Sequence, residues 1–179
     1  STASYTPKNN YNGTDSFTYR ANDGSLNSGT ATVTITINPV NDAPTVSNVN
    51  STTNEESEKS INLIGSDVDG GNLSYSVVSK PSNGTVSISG STASYTPKNN
   101  YNGTDSFTYR ANDGSLNSGT ATVSITVNPV NDAPTVSNVS STTNEDSTKS
   151  ISLVGSDIDG DTVSYSVVSN PSNGSVSIS

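Results

Sequence analysis

Hydrophobic and polar residues alternate along the chain in short runs that are separated by turn residues. The clearest run, residues 121–127, alternates Ala, Val or Ile with Thr or Ser, and polar turns such as Asn102-Gly103 separate the runs. A period of two is typical of half-buried strands, and no stretch has helical periodicity, so the pattern predicts about seven short strands between residues 41 and 130. The apolar members of the six earlier runs are Val46 and Val49; Ile61 and Leu63; Leu73, Tyr75 and Val77; Val86 and Ile88; Ala93 and Tyr95; and Phe107, Tyr109 and Ala111.

The pattern recurs with a period of 90 residues, since the sequence that begins at Ser1 returns at Ser91. A period of this length fits a whole small domain rather than one turn of a solenoid. The sequence therefore predicts one complete repeat, residues 41–130. It is preceded by the C-terminal part of a repeat, residues 1–40, and followed by the N-terminal part of the next, residues 131–179.

Seven strands per repeat, frequent turns and no helix predict an all-β fold of tandem seven-stranded Greek-key sandwiches of the immunoglobulin or cadherin type, arranged as a rod. The segment from Asp105 to Ala111 resembles the start of the sixth strand of immunoglobulin domains. That resemblance implies that Tyr109 is the corner tyrosine and that Ala111 stands where such domains have their second cysteine. We expect the Asp105 carboxylate to brace this corner.

Composition narrows the possible functions. Only 28% of the residues are hydrophobic, which alone would favour disorder, but the alternation favours a modest sandwich core. The net charge of −9, without a Lys/Arg cluster, disfavours nucleic acid as a partner, and no apolar segment is long enough for membrane insertion. The chain has no His and no Cys, and no catalytic motif, so we expect no enzymatic activity.

Three acidic motifs recur in each repeat, at the connector before it and in two of its loops. A sandwich places both loops at the end that the connector enters, so their carboxylates should converge at each junction. Carboxylate, amide and carbonyl oxygens are the ligands of Ca²⁺, and two carboxylates about 4 Å apart repel each other by roughly 4 kcal/mol without a cation. The predicted calcium ligands are Asn41, Asp42, Asp67, Asp69 and Asp113, and their copies Asn131, Asp132, Asp157, Asp159 and Asp23. The alternative is that these residues only form polar turns.

In this order, the motifs resemble those of cadherin-type repeats, and especially the bacterial cadherin-like tandem repeats of large surface adhesins. The resemblance implies calcium between successive repeats, with Glu55 at the position of the first acidic ligand. Two departures, the absence of an aspartate just before Asn131 and of an Asp-Arg-Glu motif, imply fewer ions per junction or weaker binding.

These observations predict a repetitive extracellular protein, secreted or on the bacterial cell surface, that serves as a calcium-stiffened stalk or fibre of an adhesin. The alternative is a recognition module whose loops bind a cell-surface receptor or glycan; a eukaryotic cadherin-like receptor is a third candidate. Tyr11 and Tyr101 are the only aromatic residues near loop tips, which favours the stalk. The expected partners are neighbouring repeats, joined covalently in a longer chain, or copies of the chain that associate head to tail.

Overall fold

The computed structural model describes residues 1–178, and every regular element in that span is a β-strand, so the all-β prediction is confirmed. The strands of the complete repeat are β3 (Thr45–Ser47), β4 (Val49–Asn54), β5 (Lys59–Asn62), β6 (Ile64–Ser66), β7 (Ser74–Ser79), β8 (Gly84–Ser89), β9 (Thr92–Pro97), β10 (Gly103–Asn112) and β11 (Ala121–Asn128). Residues 1–40, the N-terminal flank, carry β1 (Gly13–Tyr19) and β2 (Ala31–Ile37), and residues 131–178, the C-terminal flank, carry β12 (Thr135–Ser137) and β13 (Val154–Ser156).

The complete repeat contains two main sheets and one short strand pair. A four-stranded sheet has the order β4-β11-β10-β7, a three-stranded sheet has the order β5-β9-β8, and β3 pairs with β6. β10 is antiparallel to both of its neighbours, whereas β4 is parallel to β11. β3 and β4 follow each other in the chain, but β3 joins the short pair and β4 joins the four-stranded sheet.

Two strands that the pattern predicts as continuous are divided in the structure. Asn48 separates β3 from β4, and Leu63 separates β5 from β6. The hydroxyl of Tyr109 forms hydrogen bonds with the backbone of Ser47 and Ile64, the residues next to these two breaks. It lies 2.6 Å from the carbonyl oxygen of Ser47 and 3.0 Å from that of Ile64, and it accepts a hydrogen bond from the Ile64 N–H at 3.1 Å. The corner-tyrosine prediction is therefore wrong, because a corner tyrosine bonds to backbone a few residues upstream.

The core of the complete repeat consists of alternate residues on its strands, as the period of two predicts. On β11, Val123, Ile125 and Val127 are buried, whereas Ser124 and Thr126 between them are exposed. Burying a side chain of this size contributes about 1.5–3 kcal/mol, so a small core depends on each member. The other buried apolar residues are Ile61, Leu63, Ala93, Tyr95, Phe107, Tyr109, Ala111 and Ala121.

The two flanks form only some of the strands that their sequences predict. β1 pairs with β2 in the register of β10 and β11, and β12 pairs with β13 in that of β3 and β6. Within residues 1–178, the N-terminal flank forms no counterpart of β9, and the C-terminal flank forms none of β4, β5, β7 or β8. These strands are missing because a strand needs a neighbouring strand to bond its backbone. In the complete repeat each of these strands pairs with strands whose counterparts lie in the other flank.

Candidate functional site

The three acidic motifs are in contact at one end of the complete repeat. The backbone N–H of Asp42, in the connector, donates a hydrogen bond to Oδ2 of Asp69 at 2.7 Å. The side-chain amide of Asn41 donates to Oδ2 of Asp113 at 2.9 Å. Since Asp69 follows β6 and Asp113 follows β10, the connector is tied to both acidic loops.

Asp113 is held chiefly by the backbone of its own loop. Its Oδ1 accepts hydrogen bonds from the N–H groups of Leu116 at 2.7 Å and Ser115 at 2.6 Å. The Leu116 N–H, followed by the Asn41 amide and the Ser115 N–H, holds the pKa of Asp113 below its ordinary value of 3.8. Asp23 makes the two matching backbone bonds in the N-terminal flank. Asp113 thus remains charged at neutral pH, with both oxygens already accepting hydrogen bonds.

Asp67, in contrast, has a free carboxylate oxygen. Its Oδ1 accepts a hydrogen bond from the N–H of Asp69 at 2.8 Å, while its Oδ2 is buried and has no hydrogen-bond partner among the described residues. A buried oxygen left unsatisfied costs about 1–3 kcal/mol, and more when it is charged. In the C-terminal flank, Oδ1 of Asp157 accepts from the N–H of Asp159 in the same way, at 2.9 Å.

Glu55 lies at the opposite end of the complete repeat, where the chain leaves for the next one. Its side chain is only 2% exposed. Oε1 accepts a hydrogen bond from the N–H of Val130 at 2.6 Å, and the Glu55 N–H donates to the carbonyl oxygen of Asn128 at 3.0 Å. Oε2 is buried without a hydrogen-bond partner in residues 1–178. Glu55 therefore holds the start of the connector and keeps one carboxylate oxygen free.

The connector that follows the complete repeat, at Asn131 and Asp132, forms the second junction, and it repeats one contact of the first junction, at Asn41 and Asp42. The N–H of Asp132 donates to Oδ2 of Asp159 at 2.7 Å, matching the Asp42–Asp69 contact. Oδ2 of Asp132 also accepts from the side-chain amide of Asn100 at 2.7 Å. Asn131 donates to the carbonyl oxygen of Asp132 at 3.0 Å, and Asp23, in the other flank, makes no hydrogen bond here among the described residues.

Sequence reasoning did not identify Asn100 as a junction residue. The only feature of the sequence at this point is the pair Asn99-Asn100, which predicts a turn. In the structure Asn100 adopts a φ of 55° in that turn. Asparagine is common in such turns, so this signal does not distinguish a connector contact from an ordinary turn.

The oxygen chemistry of the junctions suits a hard cation such as Ca²⁺. Two buried carboxylate oxygens, on Glu55 and Asp67, lack a partner that a cation could supply. Over residues 1–178, however, no three acidic, His or Cys side chains lie together as a metal-binding group. The carboxylates meet the connector singly or in pairs, so amide, carbonyl and water oxygens would complete any coordination sphere.

Asp105 braces a different part of the fold from the corner that its sequence context predicts, because its partners lie in the β7–β8 turn and on β9. Its Oδ1 accepts a hydrogen bond from the N–H of Ser82 at 3.0 Å, and its Oδ2 accepts from the N–H of Asn83 and the hydroxyl of Tyr95, both at 2.9 Å. Burial, and then donation to Asp105, raises the pKa of Tyr95 above its ordinary value of 10.0. The carboxylate thus locks the β7–β8 turn to β9.

The chain matches the bacterial Ig domain family over residues 1–36, 41–126 and 131–179. The chain belongs to the bacterial Ig domain family. This family is typically non-enzymatic. The structure contains no helix, over residues 1–178, that is long and apolar enough to cross a membrane.

Two curated proteins of Dictyostelium discoideum resemble this bacterial Ig domain chain. Integrin beta-like protein A is 34% identical over 177 residues, which cover 86% of this chain and 9% of that protein. Integrin beta-like protein B is 55% identical over 40 residues, covering 22% of this chain and 2% of that protein. The chain therefore spans less than a tenth of the length of either relative.

Among solved structures, an endo-fucoidan hydrolase of glycoside hydrolase family 107 is 25% identical, with a TM-score of 0.39 over 66% of this chain and 19% of that one. Domains 4 and 5 of the surface layer protein SbsC are 19% identical, with a TM-score of 0.33 over 65% of this chain and 58% of that one. Likeness at this level says nothing about activity.

Proposed function

We propose that the chain is an adhesion-related segment of an extracellular or cell-surface protein, in which tandem bacterial Ig domains form a calcium-stiffened stalk or fibre. Membership of the bacterial Ig domain family supports the extracellular Ig-like module, and the integrin beta-like relatives support the link to adhesion. The typically non-enzymatic character of the family agrees with a structural role rather than a catalytic one.

The observation that carries the calcium proposal is the buried, unpaired Oε2 of Glu55 at the start of the connector. Removing one charge of this kind from water costs several kcal/mol unless a partner compensates for it. A bound Ca²⁺ would supply that partner and neutralise the nearby carboxylates. At this junction the candidate ligands are Glu55, Asp132, Asp157 and Asp159, with the Asn131 side chain. They would have to draw closer around the ion, because no three acidic side chains lie together in residues 1–178.

At the first junction the corresponding ligands would be Asp42, Asp67, Asp69 and Asp113, with the Asn41 side chain. The connector is already tied to both loops there by the N–H of Asp42 and the amide of Asn41. Calcium would act on the free Oδ2 of Asp67 and on the mutual repulsion of the aspartates. With both joints held, the sandwiches would line up as a rod with a rise of roughly 40 Å per repeat, taking ~3.4 Å per strand residue plus loops and connector.

The test combines calcium titration calorimetry with small-angle scattering of the intact chain, in calcium and in chelator. We expect calcium binding and a longer, less flexible particle in calcium. Glu55→Gln should weaken calcium binding at the second junction, because it removes the negative charge of the carboxylate that carries the unpaired oxygen. Glu145→Gln is the matched control, since Glu145 is the exposed copy of Glu55. Scattering that is identical in calcium and chelator would refute the proposal.

One feature favours the alternative, a recognition module. A groove of about 600 Å³ crosses the outer face of the four-stranded sheet beside the β7–β8 turn, and hydroxyl and amide groups, among them Asn50, Thr52 and Ser124, line it. Such groups suit the hydroxyls of a glycan. Binding of the chain to a glycan array that persists in chelator, and that Thr52→Arg abolishes, would support this function over the stalk.

A further inference from the structure

The second junction contains a direct side-chain contact between the complete repeat and the repeat that follows it. The side-chain amide of Asn100, in the loop between β9 and β10, donates a hydrogen bond to Oδ2 of Asp132 at 2.7 Å. Among residues 1–178, this is the only hydrogen bond that joins residues 41–130 to residues 131–178. Any orientation between these two parts of the chain that hydrogen bonding imposes therefore depends on Asn100.

The loop that carries Asn100 is anchored to the core. Asn100 adopts a φ of 55°, a conformation that asparagine adopts more readily than most residues. The N–H of Tyr101 donates to the carbonyl oxygen of Lys98 at 3.2 Å, and the hydroxyl of Tyr101 donates to the carbonyl oxygen of Thr104 at 2.6 Å. The Tyr101 side chain also packs against the buried core of the complete repeat. The amide of Asn100 is thus held in a defined position at this end of the repeat.

Asp132 is fixed on its own side of the junction. Its N–H donates to Oδ2 of Asp159 at 2.7 Å, and the side chain of Asn131 donates to the carbonyl oxygen of Asp132 at 3.0 Å. Asp159 follows β13, which pairs with β12. The Asp132 carboxylate is therefore tied to the acidic loop of the following repeat, and a contact at its Oδ2 acts on that loop.

The complete repeat holds the connector at two points. Glu55, after β4, accepts a hydrogen bond from the N–H of Val130 at 2.6 Å. Asn100, between β9 and β10, holds Asp132 two residues further along the chain. A segment held at one point can rotate about it, whereas a segment held at two points on different loops has a defined direction. The Glu55 contact sets where the connector starts, and the Asn100 contact sets the direction in which the next repeat leaves.

The first junction has the same local sequence but lacks this contact. Asn10 occupies the same Lys-Asn-Asn-Tyr turn with a φ of 58°, yet its amide makes no hydrogen bond with Asp42 among the described residues. A groove of about 500 Å³, lined by Asn10, Val68 and Asp69 among other residues, is open at this junction. The turn therefore forms whether or not the contact is made, so Asn10 provides a matched control for substitutions at Asn100.

We propose that Asn100 is a positioning residue of the second junction, which orients the following repeat through its hydrogen bond to Asp132 without any cation. Part of the stiffness of the stalk then comes from a direct contact between repeats rather than from calcium. A single hydrogen bond of this kind shifts an equilibrium between two arrangements by about three- to tenfold. The second junction is thus partly ordered in chelator, and calcium would add to that order.

The experiment measures the distance between two spin labels, one on either side of the second junction, by pulsed electron paramagnetic resonance of the intact chain. The chain has no cysteine, so Ser87→Cys on β8 and Ser137→Cys on β12, both at exposed positions, can be labelled selectively. All samples contain chelator, so that the outcome does not depend on the calcium proposal.

The first pair of variants removes the amide. Asn100→Gly keeps the turn, because glycine adopts a positive φ without strain. Asn10→Gly makes the same change in the matching turn of the N-terminal flank, away from the second junction. We expect one main distance in the labelled wild type, and Asn100→Gly should raise the share of molecules outside that distance about three- to tenfold. Asn10→Gly should match the wild type.

The second set of variants tests the partner. Asn100→Asp places two carboxylates against each other, and their repulsion should broaden the distances at least as much as Asn100→Gly does. Asn99→Asp adds the same charge at an exposed neighbouring residue and should match the wild type. Combining Asn100→Asp with Asp132→Asn supplies one donor and one acceptor again, in reversed roles, and should restore the wild-type distance.

A distance distribution for Asn100→Gly that equals that of the wild type or of Asn10→Gly would overturn the proposal. A combined variant that is as broad as Asn100→Asp alone would overturn it too, because the effect would then not pass through Asp132. If these distances are as expected while calcium leaves the scattering unchanged, the calcium proposal fails and the role of Asn100 stands.

Discussion

Replacing Asp105 with asparagine removes the charge from a buried carboxylate on which three parts of the complete repeat depend. The carboxylate accepts four hydrogen bonds, from the N–H groups of Ser82, Asn83 and Ser106 and from the hydroxyl of Tyr95. Oδ2 of Asp105 accepts from both the Tyr95 hydroxyl and the Asn83 N–H. In the asparagine variant, the side-chain nitrogen would take the place of Oδ2 and donate to the oxygen of the Tyr95 hydroxyl. The N–H of Asn83 then loses its acceptor.

The expected cost follows from these contacts. A buried N–H without an acceptor costs about 1–3 kcal/mol, and each bond that changes from a charged to a neutral acceptor loses roughly 1 kcal/mol. We therefore expect Asp105→Asn to destabilise the complete repeat by about 3–5 kcal/mol. A domain of this size has about 5–15 kcal/mol in total, so the variant should lose a large part of its stability.

The assay is urea unfolding of the intact chain, followed by circular dichroism at a concentration where the chain is monomeric. Asp15→Asn is the matched control. Asp15 has the same neighbours in sequence and the same tyrosine partner, but it is exposed and has no turn N–H groups to hold. An Asp105→Asn midpoint within experimental error of the Asp15→Asn midpoint would refute the bracing role.

Three further outcomes are expected. Gly84→Ala should destabilise the complete repeat by about 1–3 kcal/mol, because its Cβ would overlap the Tyr95 ring, whereas Gly174→Ala should leave the melting temperature of the monomer unchanged. The folded-state pKa of Tyr95 is raised, so stability is fully present below pH 10.0 and falls as the pH rises above it. In a spectrophotometric titration Tyr95 should ionise above pH 10.0, and Tyr95→Phe should remove that step and its part of the alkaline loss. Calcium at 100 times its dissociation constant should stabilise the folded chain by about 2.7 kcal/mol, a gain that chelator should reverse in a thermal melt. No change in melting temperature on chelation would contradict this.

Much of the fold could be predicted because the chain repeats itself and its apolar residues alternate. On β11 the alternation identifies the buried residues Val123, Ile125 and Val127, since only one face of that strand meets the core. The strand breaks at Asn48 and Leu63 could not be predicted. They involve a hydroxyl on Tyr109 that lies 45 and 62 residues further along the chain than the groups it contacts.

The sequence indicates which acidic motifs belong to the candidate site, but it does not indicate all of their contacts. Sequence spacing indicates that the Asp42, Asp69 and Asp113 motifs share one end of a sandwich, and hydrogen bonds through the connector link all three. The buried position of Glu55 and the contact of Asn100 with Asp132 depend on how the connector leaves the repeat, for which local sequence has no signal. The strands missing from the flanks show a related limit, because a strand forms only where its partner is present.

The parallel pairing of β4 with β11 has a mechanical consequence. Six residue pairs join the two strands, from Val49–Val123 to Asn54–Asn128, beside the segments by which the chain enters and leaves the repeat. Tension on those two segments pulls β4 and β11 past each other along their length, so the connecting hydrogen bonds are loaded together in shear. A hairpin pulled at its open end would instead lose its bonds one at a time. In single-molecule pulling, the complete repeat should therefore rupture at higher force than the β1–β2 hairpin, and a tether built from such repeats would resist extension at every one of them.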